Sequence, residues 1–221
     1  MFAVGHFALG YLAGKGSSSL LKTKINLPLL LVVSVLPDID LILQGVDPTL
    51  FMHRGPTHSI ITFTVLMLPF FYFYRRQAIP YFGVLLSHSI IGDFFTGGIE
   101  LFWPFSQEWF GLNFDVRSLG NVISEIVLFG ITLGLMVYNR DIRSLLKPGK
   151  YNLVLIIALG AVLGPMISTG GGYEAALPEL LVAPSLFWIA ILVHSILIKL
   201  FERNYASEPN ANVRTQSQTF P

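Results

Sequence analysis

The residues able to carry chemistry fall into a few short stretches of this 221-residue chain. His6 lies near the start. LPDID supplies Asp38 and Asp40, HRGPTHS supplies His53, Arg54 and His58, and SHSIIGD supplies His88 and Asp93. Neutral imidazole and carboxylate together suit zinc, manganese or iron, and a mixed N/O set disfavours copper(I). A catalytic zinc takes about three protein ligands and keeps a position for water. Seven candidate ligands (His6, Asp38, Asp40, His53, His58, His88 and Asp93) are enough for one or two divalent ions, with zinc the first choice. Some of the seven would instead orient the imidazoles from behind. Arg54, between two histidines, suits the grip of a phosphate. Asp40 or Glu125 suits proton transfer.

The spacings set a condition on the backbone. His53–His58 and His88–Asp93 are both i,i+5, about 140° apart on an ideal α-helix. The first pair straddles Gly55-Pro56, which puts His53 in a loop. The second needs long side-chain reach or a distorted helix. Each residue also has a plain structural reading. Asp38 after Pro37 could end a helix, Thr57 after Pro56 could cap one, and His88 could be a hydrogen-bonded interior histidine. Glu125 could pair with Arg117 or Arg54, and Arg54 could snorkel to an interface. His194, with no acidic neighbour in sequence, reads as structural. Trp103-Pro104 and Trp109 read as interfacial anchors, and Gly170-Gly171-Gly172 as an outer loop.

The elements that hold these residues must be membrane helices. Charged residues make up 12% of the chain and hydrophobic ones 53%, against about 25% charged in an average soluble domain. That is too little charge to cover a water-facing surface. Seven apolar segments are marked at about 2–14, 27–44, 57–75, 78–97, 119–139, 151–168 and 181–201, most near the roughly 20 residues a spanning helix needs. The expected fold is an all-α, polytopic transmembrane bundle of six or seven segments. Residues 1–105 form the metal-site region, 106–203 further helices of the same bundle, and 204–221, rich in Asn, Ser, Gln and Thr, a disordered tail. Gly5, Gly10 and Gly14 mark the first segment as a half-span or a closely packed helix. MFAVGHFALGYLAGKG has no basic n-region and does not read as a signal peptide.

If all seven segments cross, twelve of the fourteen Lys and Arg residues fall on one side, leaving only Arg54 and Arg117 on the other. The basic side is cytoplasmic, which puts the N-terminus outside, the C-terminus inside, and the His/Asp set on the outer face. A net charge of +1 gives no electrostatic case for a nucleic-acid partner. The absence of cysteine removes disulfides, thiolate metal sites and cysteine nucleophiles. Oligomeric state is not legible.

GHFALGYLAG, LPDID, HRGPTHS, SHSIIGDFFTGG and WPF, in that order over residues 1–105, resemble the YdjM-type family of LexA-binding, inner-membrane-associated, metal-dependent hydrolases. The resemblance implies an integral membrane protein whose metal cluster comprises His6, Asp38, Asp40, His53, His58, His88 and Asp93. The PD…H pattern is also similar to zinc-dependent phospholipase C proteins, which implies phosphoesters. The expected function is a membrane hydrolase that cleaves a phospholipid or lipid-linked phosphate with metal-activated water. The alternative is a non-catalytic protein, either a scaffold clamped by a structural metal or a divalent-cation carrier. The almost wholly apolar inner halves of the segments count against a carrier.

Overall fold

A computed structural model describes residues 1–43, 46–167 and 177–207. Its elements are α1 (Ala3–Leu21), α2 (Leu27–Val35), a 3₁₀ turn at Pro37–Ile39 leading into the short α3 (Asp40–Leu43), a second 3₁₀ turn at Pro56–His58, α4 (Ile60–Tyr74), α5 (Ile79–Leu86), α6 (Leu119–Tyr138), α7 (Leu155–Ile167) and α8 (Glu179–Ser207). The described residues form an all-helical fold, in which the only β pairing is an isolated bridge between Ile99 and Phe110.

Local chemistry sets the helix ends. Asn26 caps α2, its side chain accepting from the Leu29 N–H at 3.1 Å, with Pro28 in the first turn. Ser59, not Thr57, caps α4, accepting from the Ile61 and Thr62 N–H groups. The hydroxyl must stand at the last extended residue before the helix, and that residue is Ser59 (φ −72°, ψ 135°). Arg75–Gln77 makes the tight turn expected between α4 and α5. Helix α8 runs to Ser207, so residues 204–207 of the expected tail are helical. Residues 208–221 and the triglycine segment lie outside the described residues.

The first segment proves to be the hub of the bundle. Val4, Phe7 and Tyr11 of α1 are buried against Leu30 and Leu31 of α2, Val84 of α5, Met136 of α6, Ala158 of α7 and Trp188 of α8. Gly10 and Gly14 allow this: a Cβ at either would collide with Ser34 or Leu30 of α2. α1 therefore sits deep in the bundle and leaves the outward faces to other helices.

Those faces are apolar. Leu119, Ile123, Val127, Ile131 and Leu135 form an exposed i,i+4 row along α6, and Val65, Leu66, Leu68, Phe70 and Phe73 are exposed on α4. A soluble protein seldom exposes so much contiguous apolar surface; a bilayer solvates it. Every expected apolar segment contains a helix, but among the described residues two are long and apolar enough to cross a membrane alone, Leu119–Tyr138 and Glu179–Glu202, of 20 and 24 residues. At 1.5 Å per residue these are about 30 and 36 Å long. Two of the others are cut short locally: α2 ends at Val35, just before Pro37, and α5 changes its winding after Leu86. The expected count of six or seven crossings is not reached by helix length.

Candidate metal centre

The backbone condition set by His88 and Asp93 is met by distortion. From Ser87 to Asp93 the helix that continues α5 winds as a π-helix. Its i→i+5 hydrogen bonds let i,i+5 side chains share a face as i,i+4 ones do in an α-helix, and such segments concentrate at functional sites. His88 Nε2 lies 3.1 Å from Asp93 Oδ2. The Pro56–His58 turn brings His58 to the same point, its Nε2 3.0 Å from that oxygen. The turn after α2 presents Asp38, whose Oδ1 lies 3.6 Å from His58 Nε2 and 3.4 Å from His88 Nε2. His6, on the first turn of α1, stacks on His88 with ring centroids 3.8 Å apart.

The tautomers follow from the outer contacts of the rings. His88 Nδ1 is 2.7 Å from the Ser34 carbonyl oxygen, which can only accept. His58 Nδ1 faces Asp40 Oδ2 at 3.3 Å and Thr57 Oγ1 at 3.0 Å. Each Nδ1 therefore donates, and in the neutral rings each Nε2 carries a lone pair. Those two Nε2 atoms face each other across 3.2 Å. Lone pairs so placed repel unless a cation, a proton or a metal ion, lies between them. His6 Nδ1, His6 Nε2 and Asp93 Oδ2 are buried without hydrogen-bond partners, a costly state unless something binds them. Two sets can offer ligand atoms within 4.8 Å of one another: His6, Asp38, His88 and Asp93, and Asp38, His53 and His58. Asp38 belongs to both. The donor set fits a divalent ion.

Three of the expected residues stand behind this centre. Asp40 accepts from His53 Nδ1 at 3.0 Å, from the Arg54 N–H at 3.1 Å and from Thr57 Oγ1 at 2.7 Å, so its oxygens are committed to orienting other groups. Arg54, in left-handed backbone (φ 67°), donates to the Thr96 carbonyl at 3.0 Å and reaches Asp93 Oδ1 at 3.4 Å. A Cβ at Gly97 would collide with its guanidinium. Glu125 pairs with neither Arg54 nor Arg117. It accepts from the N–H groups of Phe2 and Gly5, each at 3.0 Å, and from Asn121 Nδ2 at 2.9 Å, closing the N-terminus of α1. His194 is exposed on α8, outside the centre, and Trp109 is exposed in the loop after the π segment.

The model of the YdjM inner membrane protein family matches residues 1–169. The chain belongs to the YdjM family. The match runs well past residue 105, where the sequence motifs end, and takes in α6 and α7. No curated protein and no solved structure matches the chain. Membership of a YdjM inner membrane family, with two helices of spanning length, makes this a membrane-associated protein.

Sequence reasoning missed several supports of this YdjM-family site. Ser34 and Thr96 hold His88 and Arg54 through backbone carbonyls, which any residue type can offer. Gly92 leaves room for His6, since a Cβ there would lie 2.6 Å from the imidazole Cε1. Glu100 is buried beside Gly55, with its N–H bonded to the Arg54 carbonyl at 2.9 Å. Burial pushes its carboxyl above the ordinary range. A lone glutamate in the loop at residues 97–105, with no acid or histidine beside it in sequence, gave no spacing pattern to follow.

Proposed function

We propose that this YdjM-family protein is an integral membrane metal-dependent hydrolase acting on a phosphoester of a lipid or a lipid-linked phosphate. The opposed Nε2 atoms of His58 and His88, closed on one side by Asp93, carry the reading, because that arrangement calls for a cation. His6, Asp38, His58, His88 and Asp93 would hold the ion. His53 with Asp38 would extend the site to a second ion, Asp38 being common to both ligand sets. Zinc is the first choice for such a site, with manganese or iron as alternatives. A divalent ion bound here supplies Lewis acidity and an acidified water.

The chain's own groups divide the remaining work. Asp40 orients His53 and His58. Arg54, already beside Asp93, offers its guanidinium to a phosphate oxygen. Asp38 and His53 keep 18% and 29% of their side-chain area exposed, so the site has an open side for substrate. Glu125 and Asp40 entered as proton carriers; their committed hydrogen bonds favour positioning roles. The chain is oriented with its N-terminus outside and its C-terminus in the cytoplasm, supported by the one-sided distribution of Lys and Arg. A reporter fused after residue 203 should be cytoplasmic; a periplasmic result there reverses the orientation.

The test is hydrolysis of phospholipids and soluble phosphoesters by metal-loaded protein. Arg54→Ala should retain metal and lose about 10- to 150-fold in kcat/KM, as expected for one hydrogen bond to a charged group. If no phosphoester is turned over by fully metallated protein, the ion is a structural clamp between α1, the α2–α3 turn and the π segment.

A further inference from the structure

The exposed members of the metal centre are set in an apolar rim. Met52, which is 40% exposed, precedes His53, and the exposed Leu36 and Ile39 stand on either side of Asp38. The segment that follows Asp93 closes on the same edge. The Glu100 N–H donates to the Arg54 carbonyl at 2.9 Å, the Ile60 N–H to the Leu101 carbonyl at 3.1 Å, and Ser59 Oγ to the Trp103 carbonyl at 2.8 Å. Of the 21 residues from 94 to 114, eight are aromatic and two are charged. Turns washed by water are built from Gly, Pro, Asn, Asp and Ser instead. Phe105 in this stretch is 84% exposed, and Phe102 is exposed beside it. Phe114, also exposed, is tied to the Phe95 carbonyl at 3.0 Å and leads within five residues to Leu119, where the apolar row of α6 begins. Glu125 fixes the depth of the centre. It lies six residues into α6 from Leu119, about 9 Å along the helix, and it bonds the Gly5 N–H next to His6. α6 has 20 residues, about 30 Å, which matches the hydrocarbon core of a bilayer. The centre is therefore level with the second turn of a spanning helix and not above its end.

We propose that the metal centre opens sideways into the bilayer through this rim and takes a phospholipid directly from the surrounding leaflet. The proposal rests on the reading of the centre as a phosphoester site and narrows its substrate. The phosphate goes to the ion and Arg54, and the acyl chains lie against Met52, Phe102 and Phe105. A water-soluble phosphoester brings no chains and forgoes that apolar contact. Exposed aromatic side chains also mark contacts between proteins. Continuity with the lipid-facing row of α6, and the scarcity of charge, favour lipid, since aromatic side chains concentrate where membrane meets water.

The chain has no cysteine, so a single nitroxide label can be placed at any one position. Full-length protein carrying Met52→Cys or Phe105→Cys is labelled and reconstituted in vesicles of phosphatidylcholine and phosphatidylglycerol. Val127→Cys, on the exposed row of α6, is the lipid reference, and Lys150→Cys, exposed between α6 and α7, is the water reference. Electron paramagnetic resonance then compares relaxation by oxygen, which concentrates in lipid, with relaxation by a nickel chelate, which stays in water. Labels at both Met52 and Phe105 should favour oxygen, as the Val127 label does. Labels at both that favour the nickel chelate overturn the proposal. Lipid contact at Phe105 with water at Met52 overturns it too, because the loop is then an anchor and the site opens to water. This measurement needs no turnover, which separates it from the test of the hydrolase. Lipid contact at both positions with no phosphoester hydrolysed supports the sideways opening while removing the enzyme. With metal-loaded protein, long-chain phosphatidylglycerol in vesicles should be preferred over its soluble dibutanoyl analogue by about 10-fold or more in kcat/KM, roughly the value of burying two CH₂ groups. Equal use of the two overturns the acyl contact.

Discussion

The two ends of α1 handle charge in opposite ways. Around His6, ionisable groups from four segments are buried or half-buried and turned on one another. Around Lys15, the lysines remain at the surface, with one carboxylate among them. Both ends lie on the same central helix, whose middle is apolar and sealed by Phe7, Gly10 and Tyr11. The lesson concerns cost. Burying charge is unfavourable unless each group is paired and hydrogen-bonded. The His6 end carries that cost with a π segment, two 3₁₀ turns and a left-handed arginine, while the Lys15 end avoids it by staying wet. An end that bears such a cost is the one expected to do specific chemistry.

The largest effect should come from the carboxylate at the centre of the buried end. Asp93 faces nitrogens of His58, His88 and Arg54 and the Met1 nitrogen. Asp93→Ala leaves that buried set unbalanced and should cost about 3–5 kcal/mol, the usual penalty for breaking a buried pair, together with loss of metal. Thermal unfolding in detergent with metal analysis reads both. A fully metallated, undestabilised Asp93→Ala protein would remove Asp93 from the centre. The same change at the wet end, Asp141→Ala, should have a smaller effect, because its pair with Lys15 is half-buried and partly screened by solvent.

The next effect sharpens the division between groups that hold a metal and groups that orient them. Asp40→Asn keeps the shape but disturbs acceptance from His53 Nδ1 and His58 Nδ1. It should weaken metal affinity about 10- to 100-fold, as outer partners of ligands do, and equilibrium competition with a chelator measures it. Complete loss of metal would make Asp40 a ligand. At the buried end, the smallest effect belongs to Glu125→Gln. The substitution weakens the two bonds that close the N-terminus of α1 and should cost about 1–2 kcal/mol, with metal content unchanged. Loss of metal without loss of stability would return Glu125 to the site.

Much of this was legible in the sequence, and the parts that were not share a cause. His58, His88, Asp38 and Asp93 could be found because histidines and acids are rare in apolar segments and costly there. The i,i+5 spacing of His88 and Asp93 called for either long side-chain reach or a distorted helix; only the structure shows that a π-helix meets it. The position of Asp40 behind the histidines, and of Glu125 on α1, depends on contacts between elements far apart in sequence. No local pattern encodes those. The choice of Ser59 over Thr57 as the α4 cap turned on the exact residue at which the helix begins, where sequence signals are weakest. Helix length does not confirm the crossing number, because hydropathy counts the residues of a segment, whereas two of the folded segments are interrupted, one at Pro37 and one by the winding change after Leu86.

The central claim is that the opposed imidazoles of His58 and His88 hold a divalent metal. The most direct measurement is metal content by plasma mass spectrometry of full-length protein purified without chelator, beside His58→Ala, His88→Ala and His194→Ala. The account predicts one or two ions per chain in the wild type and in His194→Ala, and loss of metal in both of the other variants. Folded wild-type protein that takes up no divalent metal when supplied with it, or four proteins with equal metal content, would contradict it.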